Sequence, residues 1–244
     1  MPRTVVIDCF PASASRYVDT HAIVAVDVIR ATTTVVSAVA AGWRCFPVAR
    51  LQDAIELNGR LKDALLAGEL GGNMPDGFHM NNSPAKLAQR TDKHRPLIVL
   101  STSGTDLLVR ARPAIATYPA CFRNHTAVAR HVATMHERVA IIGAGSRNEF
   151  RQEDQMCCAW IASLLLKSGF NAENEETLKL AHQWQGAPTD ACLASHSADY
   201  LIRSNQMDDL DFVLNHVNDL DAVYQLLDQE VLPIEMEAIA EVAA

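Results

Sequence analysis

The feature that most constrains the fold is the alternation of short β-branched runs with segments of helical periodicity. Such alternation predicts an α/β protein, with a three-layer α/β/α architecture around a mixed, mostly parallel sheet. From residue 174 onward the chain is mainly polar and helical in pattern, and the acidic clusters at 208–211 and 218–221 predict the starts of two short helices. The predicted strands are 4–9, 22–28, 44–49, 97–101, 114–117 and 138–143, and the predicted helices are 32–41, 51–66, 104–111, 124–135 and 153–168.

The 244 residues, 49% of them apolar, are enough for a sizeable core. No repeat, low-complexity tract or linker marks a boundary, so we expect residues 1–244 to form a single domain or two closely packed lobes. The longest irregular stretch is 68–95, rich in Gly, Pro, Asn and Ser. Loops of that length in compact domains are usually functional, and this one is expected to form a wall of the site.

Charge and composition exclude several classes of function. The net charge is −8 and the basic residues are scattered, which argues against nucleic acid as a partner. The N-terminal apolar run is too short for a signal peptide or a membrane span, so we expect a cytoplasmic protein without membrane contact. The six cysteines and nine histidines form no C-x-x-C or H-E-x-x-H pair, which argues against a zinc site.

The segment 23–34 carries the strongest candidate site. A buried strand delivers Asp27 at its carboxyl end, where ligands bind in α/β sheets, and a helix begins a few residues later. The free N–H groups of that helix, together with Arg30, Thr32 and Thr33, could bind an anion. The structural alternative is an N-capped helix with Arg30 on the surface.

Two further segments place polar side chains after apolar runs. Glu69 is flanked by glycines and could reach a metal, while Asn82 and Ser83 could donate hydrogen bonds to a ligand. The alternative for these residues is turn formation, because Gly, Asn and Ser all favour turns. A second anion site, or simply a capped helix, is expected from the hydroxyl-rich segment after strand 97–101, namely Thr102, Ser103, Gly104 and Thr105.

The segment 139–154 is similar to a dinucleotide-binding fingerprint only in part. Asn148 stands at the third glycine position and no acidic residue follows at the required distance, so we reject a dinucleotide site. What remains is Asp154, preceded by Glu153, at the entry of a helix. Asp154 is either a first-turn residue that stabilises the helix dipole or a metal ligand. With Asp27 and Glu69 it would supply three hard oxygen donors, which suit Mg²⁺.

Together these motifs resemble the 2-phosphosulfolactate phosphatase family, over about residues 20–225. The resemblance implies a three-layer α/β fold, Mg²⁺ dependence, and hydrolysis of (2R)-O-phospho-3-sulfolactate to 3-sulfolactate and phosphate, a step of coenzyme M biosynthesis. We also expect a homo-oligomer, a dimer. The blocks that carry the resemblance are Val26–Thr33, Gly68-Glu69, Gly77-Phe78, Asn82-Ser83-Pro84, Ser103-Gly104-Thr105 and Gly145…Glu149-Phe150…Glu153-Asp154.

On this hypothesis Asp27, Glu69 and Asp154 hold Mg²⁺, which activates the attacking water. Asp27 as a covalent nucleophile is the alternative. Asp27, Arg30 and Asp154 would be the catalytic residues. The small anionic substrate would be bound by Arg30, Thr32, Thr33, Asn82, Ser83, Thr102, Ser103, Gly104 and Thr105.

The chain also departs from the family pattern, with Leu70 for Arg, His79 for Asp, Asn81 for Gly and Ser103 for Asn. A lost arginine predicts weaker binding of phosphosulfolactate unless another cation replaces it. Two alternatives therefore stay open. One is the same scaffold acting on another small phosphorylated or sulfonated acid, and the other is a catalytically inactive ligand-binding homologue.

Overall fold

The computed structural model describes residues 2–234, which form two five-stranded sheets with helices packed against them. The strands are β1 (Thr4–Cys9), β2 (Ala22–Val26), β3 (Cys45–Val48), β4 (Leu65–Gly68), β5 (Leu97–Leu100), β6 (Thr117–Ala120), β7 (Arg138–Gly143), β8 (Asn171–Ala172), β9 (Val223–Leu227) and β10 (Glu230–Ile234). The helices are α1 (Ala31–Ala40), α2 (Leu51–Arg60), α3 (Pro84–Ala88), α4 (Gly104–Ala111), α5 (His125–Met135), α6 (Gln152–Lys167), α7 (Glu175–Gln183), α8 (His196–Arg203) and α9 (Met207–Asn215).

The first sheet is parallel throughout, with strand order β6-β2-β7-β1-β8. The second has the order β4-β5-β3-β10-β9, and in it the antiparallel β9–β10 hairpin joins three parallel strands. Parallel strands are normally covered by helices on both faces. Here α5, α6 and α7 cover one face of the first sheet, α1 and α4 lie between the sheets, and α2 covers the outer face of the second.

The two-residue period of the strands distributes their side chains among three cores. Val24 and Val26 of β2 face the α5–α6 side, whereas Ile23 and Ala25 face the space between the sheets. The second sheet divides in the same way, since Leu97 and Val99 point to the inner core while Ile98 and Leu100 pack with α2. Near-continuous apolar runs such as 22–26 and 97–100 are therefore required, because both faces of these strands are buried.

The predicted α/β class and its α/β/α layering are confirmed. Three elements differ from the prediction. The helix expected at 51–66 ends at Arg60 and is followed by β4, and the strand expected at 114–117 is shifted to Thr117–Ala120. The helix expected from the cluster at 218–221 is wrong, because that segment leads into the β9–β10 hairpin, whereas the cluster at 208–211 does lie in a helix, α9. Within residues 2–234, no helix has the length and apolar character needed to cross a membrane.

Candidate active site

Asp27 follows β2 directly and is 8% exposed. Its Oδ1 accepts a hydrogen bond from the Ala31 N–H at 3.2 Å, in the first turn of α1. Its Oδ2 lies against Gly104 at the start of α4, where an added Cβ would stand 2.2 Å from this oxygen. Burial raises the pKa of Asp27 to about 7, against the opposing Ala31 hydrogen bond and with a further increase from the Glu69 carboxylate. Asp27 can therefore gain or lose a proton near neutral pH.

Asp154 fixes the β2–α1 turn relative to the loop after β7. Its Oδ1 accepts from the Val28 N–H at 2.8 Å and its Oδ2 from the Gly145 N–H at 3.1 Å. Gly145 has φ +58°, and a Cβ there would stand 2.7 Å from the Glu149 carbonyl oxygen, so glycine is required for this contact. Burial raises the pKa of Asp154 well above its usual range, and the Asp27 carboxylate raises it further.

Glu153 is a fourth carboxylate of the same region and is 1% exposed. Its Oε2 has no hydrogen-bond partner within residues 2–234, and the same is true of Nε of Arg151, whose Nη1 donates to Glu149. Burial raises the pKa of Glu153, although the hydroxyl of Ser197 opposes this. The Glu153 carboxylate is also close enough to Asp27 to raise the pKa of that residue.

Glu69 follows β4 and joins two loops of the second sheet. Its Oε1 accepts from the Thr102 N–H at 2.7 Å. Its Oε2 accepts from the Gly72 N–H at 2.6 Å and from the Thr102 hydroxyl at 3.0 Å. Three donors therefore already hold the carboxylate that was predicted to bind metal. The Glu69 carboxylate nevertheless contributes to the raised pKa of Asp27.

Arg30 is buried at the start of α1 and is held by side chains from α9 and the residue before it. Its Nη1 donates to Oε1 of Gln206 at 2.6 Å and to Oδ2 of Asp209. Asp209 in turn accepts from the Ser83 hydroxyl at 2.6 Å and the Ala85 N–H at 3.1 Å through Oδ1. Among the described residues Nε and Nη2 of Arg30 donate no hydrogen bond, so these donors are available to an anion.

Several of the predicted hydroxyl ligands stabilise the backbone of the site. The Thr32 hydroxyl lies 2.7 Å from the carbonyl oxygens of both Asp27 and Ala120, which share its single proton, and the Thr33 hydroxyl donates to the Val28 carbonyl, also at 2.7 Å. In the second sheet the Thr105 hydroxyl donates to the Ser101 carbonyl at 3.0 Å. These bonds shape the strand-to-helix turns, while contact of the same residues with substrate stays a prediction.

Asn82 and Ser83 lie at the start of α3. The Ser83 Oγ accepts from the Lys86 N–H at 3.1 Å and caps the helix, while its own hydroxyl donates to Asp209. The amide oxygen of Asn82 is buried, and no described residue donates to it. A buried acceptor without a donor is uncommon, and it suits a ligand hydroxyl, water or cation. Ser103, the residue before α4, uses no side-chain hydrogen bond to cap that helix.

The oxygen-only donor set fits Mg²⁺ chemically, because this ion is commonly bound by one or two carboxylates, waters and substrate phosphate. Asp27 Oδ2, Asn82 Oδ1 and Glu153 Oε2 accept no hydrogen bond from a described residue. Across residues 2–234 no three Asp, Glu, His or Cys side chains converge in a cluster that could hold a metal by itself. The shared site of Asp27, Glu69 and Asp154 therefore stays a prediction.

Two residues of the site were not identified from the sequence. Asp209 was interpreted only as part of a helix-start cluster, yet it shares the inner face of α9 with Leu210 and Val213. Its position on an apolar face was the available signal, because unpaired carboxylates rarely occupy one. Gln206, one residue before α9, gave no signal of this kind.

An α/β protein whose buried carboxylates and arginine gather beyond the strand ends is of the class in which enzyme sites form at that edge. The family model described as 2-phosphosulpholactate phosphatase matches residues 7–229, so the chain belongs to this family of phosphoric monoester hydrolases.

Three relatives, each named "Probable 2-phosphosulfolactate phosphatase", agree with this assignment. The protein of Symbiobacterium thermophilum is 31% identical over 78% of this chain and 84% of its own length. That of Synechococcus sp. WH7803 is 33% identical over 72% of this chain and 74% of its own length. That of Synechococcus sp. CC9605 is 33% identical over 75% of this chain and 79% of its own length. The family suggested by the sequence motifs is thereby confirmed.

Proposed function

We propose that the protein is a Mg²⁺-dependent phosphatase that hydrolyses (2R)-O-phospho-3-sulfolactate to 3-sulfolactate and phosphate. The observation that carries this proposal is the juxtaposition of Asp27 and Arg30 on the β2–α1 turn. Asp27 presents an oxygen without a hydrogen bond, and Arg30 is held through only one of its terminal nitrogens. A metal-binding or proton-accepting carboxylate next to a partly free guanidinium is what hydrolysis of a small phosphate ester requires.

In this proposal each residue has a defined part. Asp27 would hold the metal, with Glu69 and Asp154 beside it, and the bound Mg²⁺ would polarise the phosphoryl group and lower the pKa of a water. Arg30 would bind phosphoryl oxygens through Nε and Nη2, because Nη1 is already held by Asp209 and Gln206. Asp27 as a nucleophile is the alternative, and trapping a phosphorylated aspartate would favour it.

The direct test is phosphate release from phosphosulfolactate with Mg²⁺, by wild type and by Asp27→Asn. The variant should lose activity by about two orders of magnitude or more, as when a principal electrostatic group is removed. Asp106→Asn is the control, since Asp106 lies in the first turn of α4 and pairs with Arg110 on the surface. Near wild-type turnover by a folded Asp27→Asn protein would refute the assignment.

A second candidate substrate, another small phosphorylated acid, is favoured by His79. This residue stands at a position where the family motif has Asp, and it lines a surface cavity whose wall residue Asn81 is linked to Arg30 through Gln206. Comparison of kcat/KM for phosphosulfolactate, 2-phospholactate and 2-phosphoglycerate would separate the two substrates. Failure to release phosphate from all three with Mg²⁺ would instead support an inactive ligand-binding homologue.

A further inference from the structure

A cavity of about 480 Å³ lies between the loop after β4 and helix α3. Met74 and Met80 supply apolar surface, and the other lining residues can all donate hydrogen bonds. None of the lining residues is acidic. The residues that line it are Met74, His79, Met80, Asn81, Lys86 and Arg90.

The polar side chains of the cavity present positive charge and donors. Lys86 is exposed and forms no ion pair within residues 2–234. Arg90 uses Nε and Nη2 to bind Asp92, at 2.9 and 2.5 Å, which leaves Nη1. Nδ1 of His79 accepts from the Leu66 N–H at 3.0 Å, so in the neutral ring Nε2 carries the proton. A lining of cations and donors without a carboxylate is complementary to an oxyanion.

The cavity is connected to Arg30 by hydrogen bonds. Nδ2 of Asn81, in the cavity wall, donates to Oε1 of Gln206 at 3.1 Å. The same oxygen accepts from Nη1 of Arg30 at 2.6 Å. The cavity and the proposed phosphoryl-binding guanidinium are thus separated by one side chain.

From this arrangement we infer that the cavity binds a second anionic group of the substrate, with Lys86 as its principal cation. The inference rests on the proposed function, in which the substrate carries a sulfonate and a carboxylate in addition to phosphate. Met74 and Met80 would contact the carbon chain between the charged groups. The site therefore selects for substrates with an anion at both ends.

Equilibrium binding tests this inference without turnover. Titration calorimetry with Mg²⁺ present would measure Kd for 3-sulfolactate, for malate, which has a carboxylate in place of the C3 sulfonate, and for lactate, which keeps the C1 carboxylate but has only a methyl group at C3. Lys86→Met should raise Kd for 3-sulfolactate about 10- to 150-fold and leave Kd for lactate unchanged. Lys62→Met, at an equally exposed lysine on another loop, should change neither value. An equal loss for malate would identify a general oxyanion site, and a loss confined to sulfolactate a sulfonate-selective one.

Two results would overturn the inference. One is an unchanged Kd for 3-sulfolactate in Lys86→Met, and the other is wild-type binding of 3-sulfolactate no tighter than that of lactate. Phosphate release is measured separately on the same wild-type protein. If no phosphate is released while sulfolactate binding still depends on Lys86, the anion site stands and the proposed hydrolysis fails.

Discussion

Gly104 controls how closely helix α4 approaches the Asp27 carboxylate. An alanine Cβ would stand 2.2 Å from Asp27 Oδ2 and 2.5 Å from the Ala31 Cβ, distances that force the helix or the carboxylate to move. We expect Gly104→Ala to destabilise the protein by about 1–3 kcal/mol, as for other overpacked cores. Phosphate release should fall with the displacement of Asp27.

Gly59→Ala is the matched control, because Gly59 lies in α2 and an added Cβ there meets nothing within 4 Å. Alanine has the higher helix propensity, so this variant should be more stable than wild type by up to about 1 kcal/mol. Urea denaturation and phosphate release would measure both effects. A Gly104→Ala protein with unchanged stability and activity would show that the contact is not limiting.

Asp27 also predicts a pH dependence of stability in the metal-free protein. Its folded pKa, raised by burial to about 7, exceeds the unfolded value of about 3.9. The folded state therefore binds the proton more tightly, and its stabilising contribution is complete below about pH 4 and is lost as pH rises through about 7. Between these values the slope should approach about 1.4 kcal/mol per pH unit.

The measurement is urea unfolding in the presence of a chelator from pH 5 to 8, for wild type and Asp27→Asn. Other groups titrate in both proteins, so the difference between the two curves isolates Asp27. Wild type should lose stability relative to Asp27→Asn as pH rises, because only wild type must bury a charge. A difference that does not vary with pH would contradict the shifted pKa.

Helices α1, α3 and α9 are joined by one buried ion pair. Asp209 binds Arg30 on one side and the first turn of α3 on the other, and both charged side chains are at most 5% exposed. Removing one partner of a buried pair leaves the other charge uncompensated, which costs about 3–5 kcal/mol. Asp209→Ala should therefore be severely destabilised in urea denaturation.

Asp211→Ala, an exposed acidic position of the same helix, should lie within about 0.5 kcal/mol of wild type. Asp209→Asn, which keeps the shape of the side chain but not its charge, should have a stability between those of Asp209→Ala and Asp211→Ala. If Asp209→Ala and Asp211→Ala were equally stable, the network would contribute nothing to docking of the three helices.

How far the elements could be predicted depends on whether their patterns are local. Most strands and helices followed from apolar runs and periodicity. β4 was missed because a short, fully buried run such as 64–67 looks the same in a strand as in a helix. The β9–β10 hairpin did have a local signal in the sequence, two apolar runs separated by the two polar residues Asp228 and Gln229. The polar cluster before it was nevertheless interpreted as a helix start.

The candidate site was predictable only in its first members. Asp27 lies at the C-terminal end of a predicted strand and Asp154 opens a predicted helix, whereas Glu69 was singled out only by its flanking glycines, because β4 before it was not predicted. The partner of Arg30 lies 179 residues away and gave no pairing signal. Likewise, no local pattern indicates that Glu69 is held by Thr102, since that contact depends on how the loops of β4 and β5 meet.

Both sheets contribute residues to the candidate site, so a ligand bound there would depend on the whole molecule. Asp27 follows β2 of the first sheet and Asp154 lies in the first turn of α6, whereas Glu69 and Thr102 follow β4 and β5 of the second sheet and Gly104 opens α4. Gly104, at the start of α4, lies directly against the Asp27 carboxylate and so connects the two groups of residues. A ligand that bridges them should therefore stabilise the entire fold and not one sheet alone.

Mg²⁺ should raise the melting temperature of the wild-type protein at pH 8 in a single cooperative transition. At a free Mg²⁺ concentration of 100 times Kd, the free energy of unfolding should rise by about 2.7 kcal/mol, because only the folded state brings the metal ligands together. The gain should shrink toward pH 5, because Asp27, with its pKa near 7, must lose its proton to bind the ion. Asp27→Asn should show little or no shift, while the surface control Asp106→Asn should match wild type. An equal Mg²⁺-induced shift in wild type and Asp27→Asn would exclude Asp27 as a ligand, and a shift in only one of two separate transitions would mean that the sheets unfold independently.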